Sequence, residues 1–143
     1  MVDSLTPEQR SAQMSRIRGT NTKLEVLVRK ALHARGFRYR LGGAGLPGRP
    51  DIILPKYGTV VFVHGCFWHG HSCPLYRLPK TRPEFWADKI GKNRSRDERV
   101  VAELELAGWR VLTVWECSLR GKPASEQASF LDSLARQLRE AVQ

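Results

Sequence analysis

One loop of this sequence concentrates the residue types that bind metal ions and transfer protons. Residues 64–73 read His-Gly-Cys-Phe-Trp-His-Gly-His-Ser-Cys and hold three of the four histidines and two of the three cysteines. With a later cysteine they offer a possible Cys₃His set: Cys66, His71, Cys73 and Cys117. Thiolates and imidazole suit Zn²⁺ better than Mg²⁺, so this set predicts a structural zinc site. His69 could replace His71 as the fourth ligand, and the sequence leaves that choice open.

A carboxylate and two imidazoles could form a second, hydrolytic site. Asp51 begins one short apolar segment and His64 ends the next, so a hairpin would bring both to one end of a sheet. One carboxylate, a backbone carbonyl and phosphate oxygens can hold Mg²⁺, which stabilises the charge developing in phosphodiester hydrolysis. His69 or His64 could be the base that activates water. Glu25 either faces this site or only completes a helix capping box with Thr22.

Three aromatic side chains accompany these candidates. Phe67 and Trp68 lie within the loop, and Trp86 follows Pro83 at the predicted start of a helix. Apolar side chains that enter between base steps kink a duplex and expose a local defect. Packing around the metal loop is the alternative, and the sequence leaves both readings open.

The composition predicts one domain with a negatively charged partner. A chain of 143 residues with 41% hydrophobic residues can form a single domain with a core. The net charge of +10 favours nucleic acid, the alternative being a merely basic protein without such a partner. Three cysteines fit a disulfide framework poorly, and we find neither a run of about 18 apolar residues nor a signal-peptide pattern. We therefore expect a cytoplasmic protein without a membrane segment.

The elements that must position these residues follow from periodicity and helix-boundary residues. The pattern predicts helices at about 6–17, 22–34, 83–108 (with a possible break near 91–93) and 125–140. It predicts strands at 37–41 and 51–54, a strand from residue 60 that pairs with 51–54 as an antiparallel hairpin, and a strand at 109–115. This order indicates an α/β fold, in which a small central mixed sheet is flanked by helices.

Several ordered motifs between about residue 10 and residue 121 are similar to those of the very short patch repair (Vsr) endonucleases. They are residues 46–51, 64–69 with His71 and Cys73, 81–86, 89–93, 108–112 and 115–117. The resemblance implies a restriction-endonuclease-like fold with structural zinc. It implies an Mg²⁺-dependent endonuclease that nicks one DNA strand 5′ to the thymine of a T·G mismatch, the product of 5-methylcytosine deamination. It further implies a bacterial, monomeric enzyme that acts at the nucleoid and is functionally linked to a cytosine-5 DNA methyltransferase.

The matching motifs carry the family's residue roles onto this chain. Asp51 and the main-chain carbonyl of Val63 would bind Mg²⁺, His69 would be the general base, and His64 would contact phosphate or support the base. Glu25 is included among the catalytic candidates. The family's zinc ligands correspond here to Cys66, His71, Cys73 and Cys117. Its stacking aromatic residues correspond to Phe67, Trp68 and Trp86.

The expected layout is one nuclease domain over residues 1–143. It comprises a DNA-contacting helix at 1–19, a catalytic core with the zinc loop at 20–121, and a C-terminal helix at 122–143. Phe62 and His64 occupy the positions where the wider nuclease superfamily has a carboxylate and a lysine, so that mechanism is not expected. The alternatives are a restriction-type nuclease that cuts matched double-stranded DNA and a zinc-stabilised DNA-binding module without catalysis.

Overall fold

The computed structural model describes residues 22–41, 43, 45–71, 73 and 78–140. The predicted N-terminal helix and its DNA-contacting role at 1–19 lie outside these residues. The described helices are α1 (Thr22–Ala34), α2 (Pro83–Leu106) and α3 (Ala124–Glu140), and the strands are β1 (Ile52–Leu54), β2 (Thr59–His64) and β3 (Arg110–Trp115). Short 3₁₀ turns follow β1 at Pro55–Tyr57 and β3 at Glu116–Ser118.

The three strands form one mixed sheet with β2 at its centre. β1 and β2 pair antiparallel, with Ile52 opposite Val61, so the predicted hairpin is confirmed. β3 pairs parallel with β2, and His64 lies opposite Trp115 at the end of the ladder. A parallel pair needs a crossover, and α2 supplies it between β2 and β3. The predicted mixed α/β sheet flanked by helices is therefore confirmed.

The core lies on both faces of this sheet. Val61 and Val63 of β2 pack with residues of α1 and α3, whereas Val60 and Phe62 pack against Leu104 of α2. Successive side chains of a strand point to opposite faces, and this explains why β2 is apolar at nearly every position. Packing on both faces holds the end of β2, and with it His64, in a fixed place.

Two predicted details differ in the structure. Residues 37–41 form no strand, because only Arg40 bridges to Ile53 before the Gly- and Pro-rich segment leads the chain away. Their alternation still placed Phe37 in the core, at 2% exposure. The helix does not break near residues 91–93, since buried Ile90 and Asn93 anchor that turn on either side of Gly91. Among the described helices, none has a long enough apolar run to cross a bilayer.

Candidate active site and metal centre

The four Cys₃His ligand atoms converge at the end of β2. The Sγ atoms of Cys66, Cys73 and Cys117 and a ring nitrogen of His71 all lie within 4.8 Å of one another. His71 Nδ1 is 3.6 Å from Cys66 Sγ and 3.5 Å from Cys117 Sγ. Sulfur and nitrogen ligands of a tetrahedral zinc ion are about 3.6 Å apart, given Zn–S and Zn–N bonds of about 2.3 and 2.05 Å. The donor set therefore fits a metal ion such as zinc, with His71 as the histidine.

A tight turn brings these ligands together. Residues 66–70 turn directly after β2, and the amide of His71 donates a hydrogen bond to the carbonyl of Cys66 at 3.0 Å. Gly70 has a φ of +59°, and a Cβ there would come within 2.7 Å of Ile90 Cγ2. A side chain at this position would push the loop away from α2, so glycine lets the two pack closely. Cys117 enters from the turn after β3, and the set would join the ends of two neighbouring strands.

Burial makes two thiols of this cluster, those of Cys66 and Cys117, poor acids without a metal ion. Burial raises the pKa of the Cys66 thiol to about 12, and burial also raises the pKa of Cys117. Metal ligation needs thiolates, so binding of a metal ion would release protons from these groups. The coordination would accordingly weaken as the pH falls.

An imidazole and a carboxylate form a hydrogen-bonded pair beside the cluster. Nδ1 of His69 and Oδ2 of Asp97 are 2.5 Å apart, with side-chain exposures of 16% and 25%. The carboxylate can accept a hydrogen bond from Nδ1–H, which leaves the lone pair of a neutral ring on Nε2. Sequence reasoning missed Asp97. The available signal was its place four residues after Asn93 and seven after Ile90, on the buried side of α2.

His64 completes a stack with this pair. Its ring lies parallel to that of His69, with 3.8 Å between ring centroids and 3° between planes. Donor atoms of His64, His69 and Asp97 lie within 4.8 Å of one another. Parallel stacked rings cannot both direct in-plane lone pairs at one ion, and Asp97 already binds Nδ1 of His69. The geometry thus favours proton transfer over metal binding at these three residues.

The two stacked histidines have different environments. The pKa of His64 is lowered to about 4, mainly by burial and further by the neighbouring His69, so this ring is neutral at pH 7. Its Nδ1 is buried and has no hydrogen-bond partner among the described residues. A ring with so low a pKa is a weak base at neutral pH. His69, which a carboxylate orients, is the better candidate for the base.

Asp51 lies at the same end of the sheet. Because Ile52 pairs with Val61, Asp51 is level with the end of β2, and its Oδ2 accepts a hydrogen bond of 2.7 Å from the Val63 amide. The pKa of this carboxyl is raised from 3.8 to about 6, mainly because burial penalises its charge. The Val63 amide opposes the rise, and the negative charge of Glu25 adds to it.

The negative charge of Glu25, in the first turn of α1, acts on the candidate site. A carboxyl whose pKa is raised by a second acidic group suits a cation that prefers oxygen ligands, such as Mg²⁺. The charge of His69 also acts on Asp51, so the carboxylate and the imidazole pair share one site. The capping-box role of Glu25 with Thr22 stays a prediction.

The three predicted aromatic residues meet in one cluster. Phe67 lies 5.1 Å from Trp68 and 5.6 Å from Trp86, and the two tryptophans are 5.6 Å apart, all measured between ring centroids. The side chain of Asn93 donates a hydrogen bond to the Trp68 carbonyl and so holds the loop against α2. All three rings are partly exposed, and none belongs to either of the two core clusters of the described chain. This aromatic cluster is therefore held in place at the surface.

Together the basic charge, the hydrolytic side chains and the exposed aromatic cluster are typical of an enzyme that cleaves nucleic acid. Comparison with known proteins identifies the family. The family model described as DNA mismatch endonuclease Vsr matches residues 2–75, just over half of the chain. The chain belongs to the Vsr family of DNA mismatch endonucleases, as its motifs predicted.

Three relatives illustrate the similarity. The type II nicking enzyme V.XorIIP of Xanthomonas oryzae pv. oryzae is 49% identical over 88% of this chain and 93% of its own length. The type II nicking enzyme V.NmeAIP of Neisseria meningitidis serogroup A is 47% identical over 99% of this chain and 100% of its own. The DNA mismatch endonuclease Vsr of Escherichia coli K12 is 47% identical over 85% of this chain and 78% of its own.

Proposed function

We propose that this endonuclease nicks one strand of double-stranded DNA 5′ to the thymine of a T·G mismatch and requires Mg²⁺. The observation that carries the hydrolytic part is the His69–Asp97 hydrogen bond, together with the effect of the His69 charge on the carboxyl of Asp51. The mismatch and the position of the nick rest on membership of the Vsr family and on the motif resemblance. A restriction-endonuclease-like fold, in one domain, belongs to the same proposal.

In this proposal Asp51 and the main-chain carbonyl of Val63 would hold Mg²⁺. The metal ion, when bound, would orient the phosphodiester and stabilise its developing negative charge. His69 accepts a proton from the attacking water through Nε2, and Asp97 stabilises the imidazolium that results. His64, neutral at pH 7, donates a hydrogen bond to the phosphate, while Glu25 completes the acidic surroundings of Asp51.

The Cys₃His set would hold a structural zinc ion. Such an ion would fix the loop that carries His69 to the turn after β3, and it would contribute to folding stability. The same loop presents Phe67 and Trp68. Zinc binding would therefore set the position of the base and of the aromatic cluster at once.

The aromatic cluster would enter the base stack beside the mismatch. In the protein without DNA, the rings of Phe67, Trp68 and Trp86 already contact one another edge to face. DNA binding would therefore cost little conformational entropy at these side chains. A T·G pair is already destabilised, and separating it from its neighbour requires less energy than opening matched DNA. This difference would favour the mismatch over ordinary sequence.

The proposed partners are double-stranded DNA with a T·G mismatch and, through the methylated cytosine that creates it, a cytosine-5 DNA methyltransferase. We propose that the enzyme acts as a monomer and works at the bacterial nucleoid. The restriction-type alternative needs two catalytic sets, one for each strand, and hence dimerisation. The binding-module alternative gives no role to the hydrogen-bonded His69–Asp97 pair.

Replacing Asp51 separates these functions. With Asp51→Ala, we expect nicking of a T·G duplex in Mg²⁺ to be lost while the affinity for the same duplex changes little. The exposed Asp132→Ala on α3, outside the site, is the matched control and should nick normally. Nicking that persists in Asp51→Ala would contradict the assignment of the site, and a wild-type protein that binds but never cuts would favour the binding module.

A further inference from the structure

A row of cations follows one side of α2, outside the residues that the proposed chemistry uses. Arg82, at the N-cap, begins a series whose spacing alternates between three and four residues: Arg82, Phe85, Lys89, Lys92, Arg96 and Arg99. On an α-helix this spacing places side chains along one side. We call the five cations of this series the α2 basic row. Of these five cations, only Lys92 has an ion-pair partner among the described residues, Asp88 at 3.1 Å.

The row begins on an exposed aromatic ring. The guanidinium carbon of Arg82 lies 4.4 Å from the ring centroid of Phe85, and the Nζ atom of Lys89 lies 5.9 Å from it. Phe85 is 42% exposed, and its ring contacts Trp86 of the aromatic cluster, with 5.2 Å between centroids. Each cation is attracted to the ring, but two like charges on one ring repel each other. An anion between them would remove that repulsion.

The backbone of Arg82 is unusual in a way that fits a ligand site. Its φ is +54°, in the left-handed region that residues with a Cβ rarely adopt, and its side chain makes no cap hydrogen bond to the helix. Strained backbone conformations of this kind cluster at functional sites. Here the conformation belongs to the residue whose guanidinium lies over Phe85.

The other end of the row approaches the histidine stack. Arg96 directly precedes Asp97, whose carboxylate binds His69 of that stack. Lys92, Arg96 and Arg99 line an open groove along the helix. From Arg82 to Arg99 the helix rises by about 25 Å, which is enough to follow several successive phosphates of one strand.

We propose that the α2 basic row binds successive phosphates of one DNA strand, and that Phe85 is a positioning residue which holds Arg82 and Lys89 together on one of these phosphates. The row would lead the strand from the aromatic cluster to the histidine stack. This inference rests on the proposed function only in taking DNA as the ligand. It assigns the row to backbone positioning and not to reading of the mismatch.

The salt dependence of DNA binding tests this proposal. Affinities of wild type, Arg82→Gln and Arg96→Gln are measured from 0.05 to about 0.5 M salt on a T·G duplex and on its matched counterpart. Arg136→Gln, on an exposed arginine of α3, is the control for loss of one charge. One phosphate contact contributes about 0.9 to the slope of log affinity against log salt concentration. This slope corresponds to an affinity about eightfold higher at 0.1 M salt than at 1 M salt.

We expect Arg82→Gln and Arg96→Gln each to lose about one unit of slope, and equally on both duplexes, while Arg136→Gln keeps the wild-type slope. Phe85→Leu changes no charge, yet it should also reduce the slope, because Arg82 and Lys89 lose the ring that holds them. Phe85→Tyr keeps the ring and should behave like wild type. Thermal melting and metal content of each variant establish that the fold is intact.

Two results would overturn the proposal. One is a Phe85→Leu variant that folds and keeps the wild-type slope. The other is Arg82→Gln or Arg96→Gln that loses no more than Arg136→Gln, or that loses affinity only for the T·G duplex. The two failures are distinguishable. If only the proposed nicking activity is wrong, the protein never nicks a T·G duplex, but the variants still show the changes in salt slope.

Discussion

Replacing Asp51 by asparagine should stabilise the metal-free protein while it abolishes nicking. Burial and the charge of Glu25 raise the pKa of this carboxyl from 3.8 to about 6, so at pH 7 the folded state carries an unfavourable buried charge. A shift of about two pKa units corresponds to about 3 kcal/mol, and partial exposure reduces this to about 2 kcal/mol. Asparagine retains an oxygen that can accept the Val63 amide hydrogen bond. We therefore expect Asp51→Asn to raise the free energy of unfolding by about 2 kcal/mol at pH 7.5.

The stability difference between Asp51→Asn and wild type should depend on pH, because the pKa of Asp51 is raised in the folded state. Between pH 3.8 and about 6 the folded carboxyl binds a proton more readily than the unfolded one, so the wild-type penalty disappears as the pH falls through this range. The gain from Asp51→Asn should thus be full at pH 7.5 and vanish near pH 4. His64 titrates in an overlapping range, but it is present in both proteins and cancels in the difference.

Urea denaturation at several pH values measures the effect. The buffer must lack both Mg²⁺ and chelator, since a chelator would compete for the Cys₃His metal as well. Added Mg²⁺ should then stabilise wild type and leave Asp51→Asn unchanged, because only the carboxylate binds the ion. A variant that is less stable than wild type at pH 7.5, or a difference independent of pH, would refute the reasoning. Either result would show that burial of the charged Asp51 carboxyl does not destabilise the folded protein.

Two other changes test separate parts of the site, and a third tests the helix that packs against it. Asp97→Asn should slow single-turnover nicking by at least about 100-fold at unchanged DNA affinity, because the ring of His69 loses the carboxylate that orients it. A normal rate would show that the His69–Asp97 pair has no catalytic role. Cys117→Ala should lower the metal content below one zinc per chain and lower the melting temperature, and full zinc retention would exclude Cys117 as a ligand. Gly91→Ala should raise the free energy of unfolding by about 1 kcal/mol, since its Cβ would meet nothing within 4 Å; loss of stability would reveal an unseen contact at this turn.

Local sequence patterns predicted the elements that local interactions determine. The β1–β2 hairpin follows from two short apolar runs joined by a turn with Gly58 in the left-handed region, and its register places Asp51 beside Val63. The continuous helix was harder to predict because Gly91 resembles a breaker. Its neighbours Ile90 and Asn93 are buried, and this tertiary packing outweighs the weak helix preference of one glycine.

The candidate site could be predicted only as a set of residue types. The density of cysteine and histidine indicated a metal cluster, but the choice between His69 and His71 depends on which way the turn at Gly70 directs each ring. Asp97 lies 28 residues from His69, and the pairing exists only because α2 packs against the loop. Its helical spacing from Ile90 indicates the buried side of α2, but no local pattern shows that this carboxylate meets His69. Its role emerges from tertiary structure alone.

Strand-resolved cleavage of a mismatched duplex tests the central claim most directly. Duplexes with T·G, C·G or T·A at one position, in several flanking sequences, carry a different label on each strand and are incubated with or without Mg²⁺. We predict one Mg²⁺-dependent nick, immediately 5′ to the mismatched thymine, and intact C·G and T·A duplexes. Cleavage of both strands in matched DNA, or tight binding without a nick in any sequence, would contradict the account.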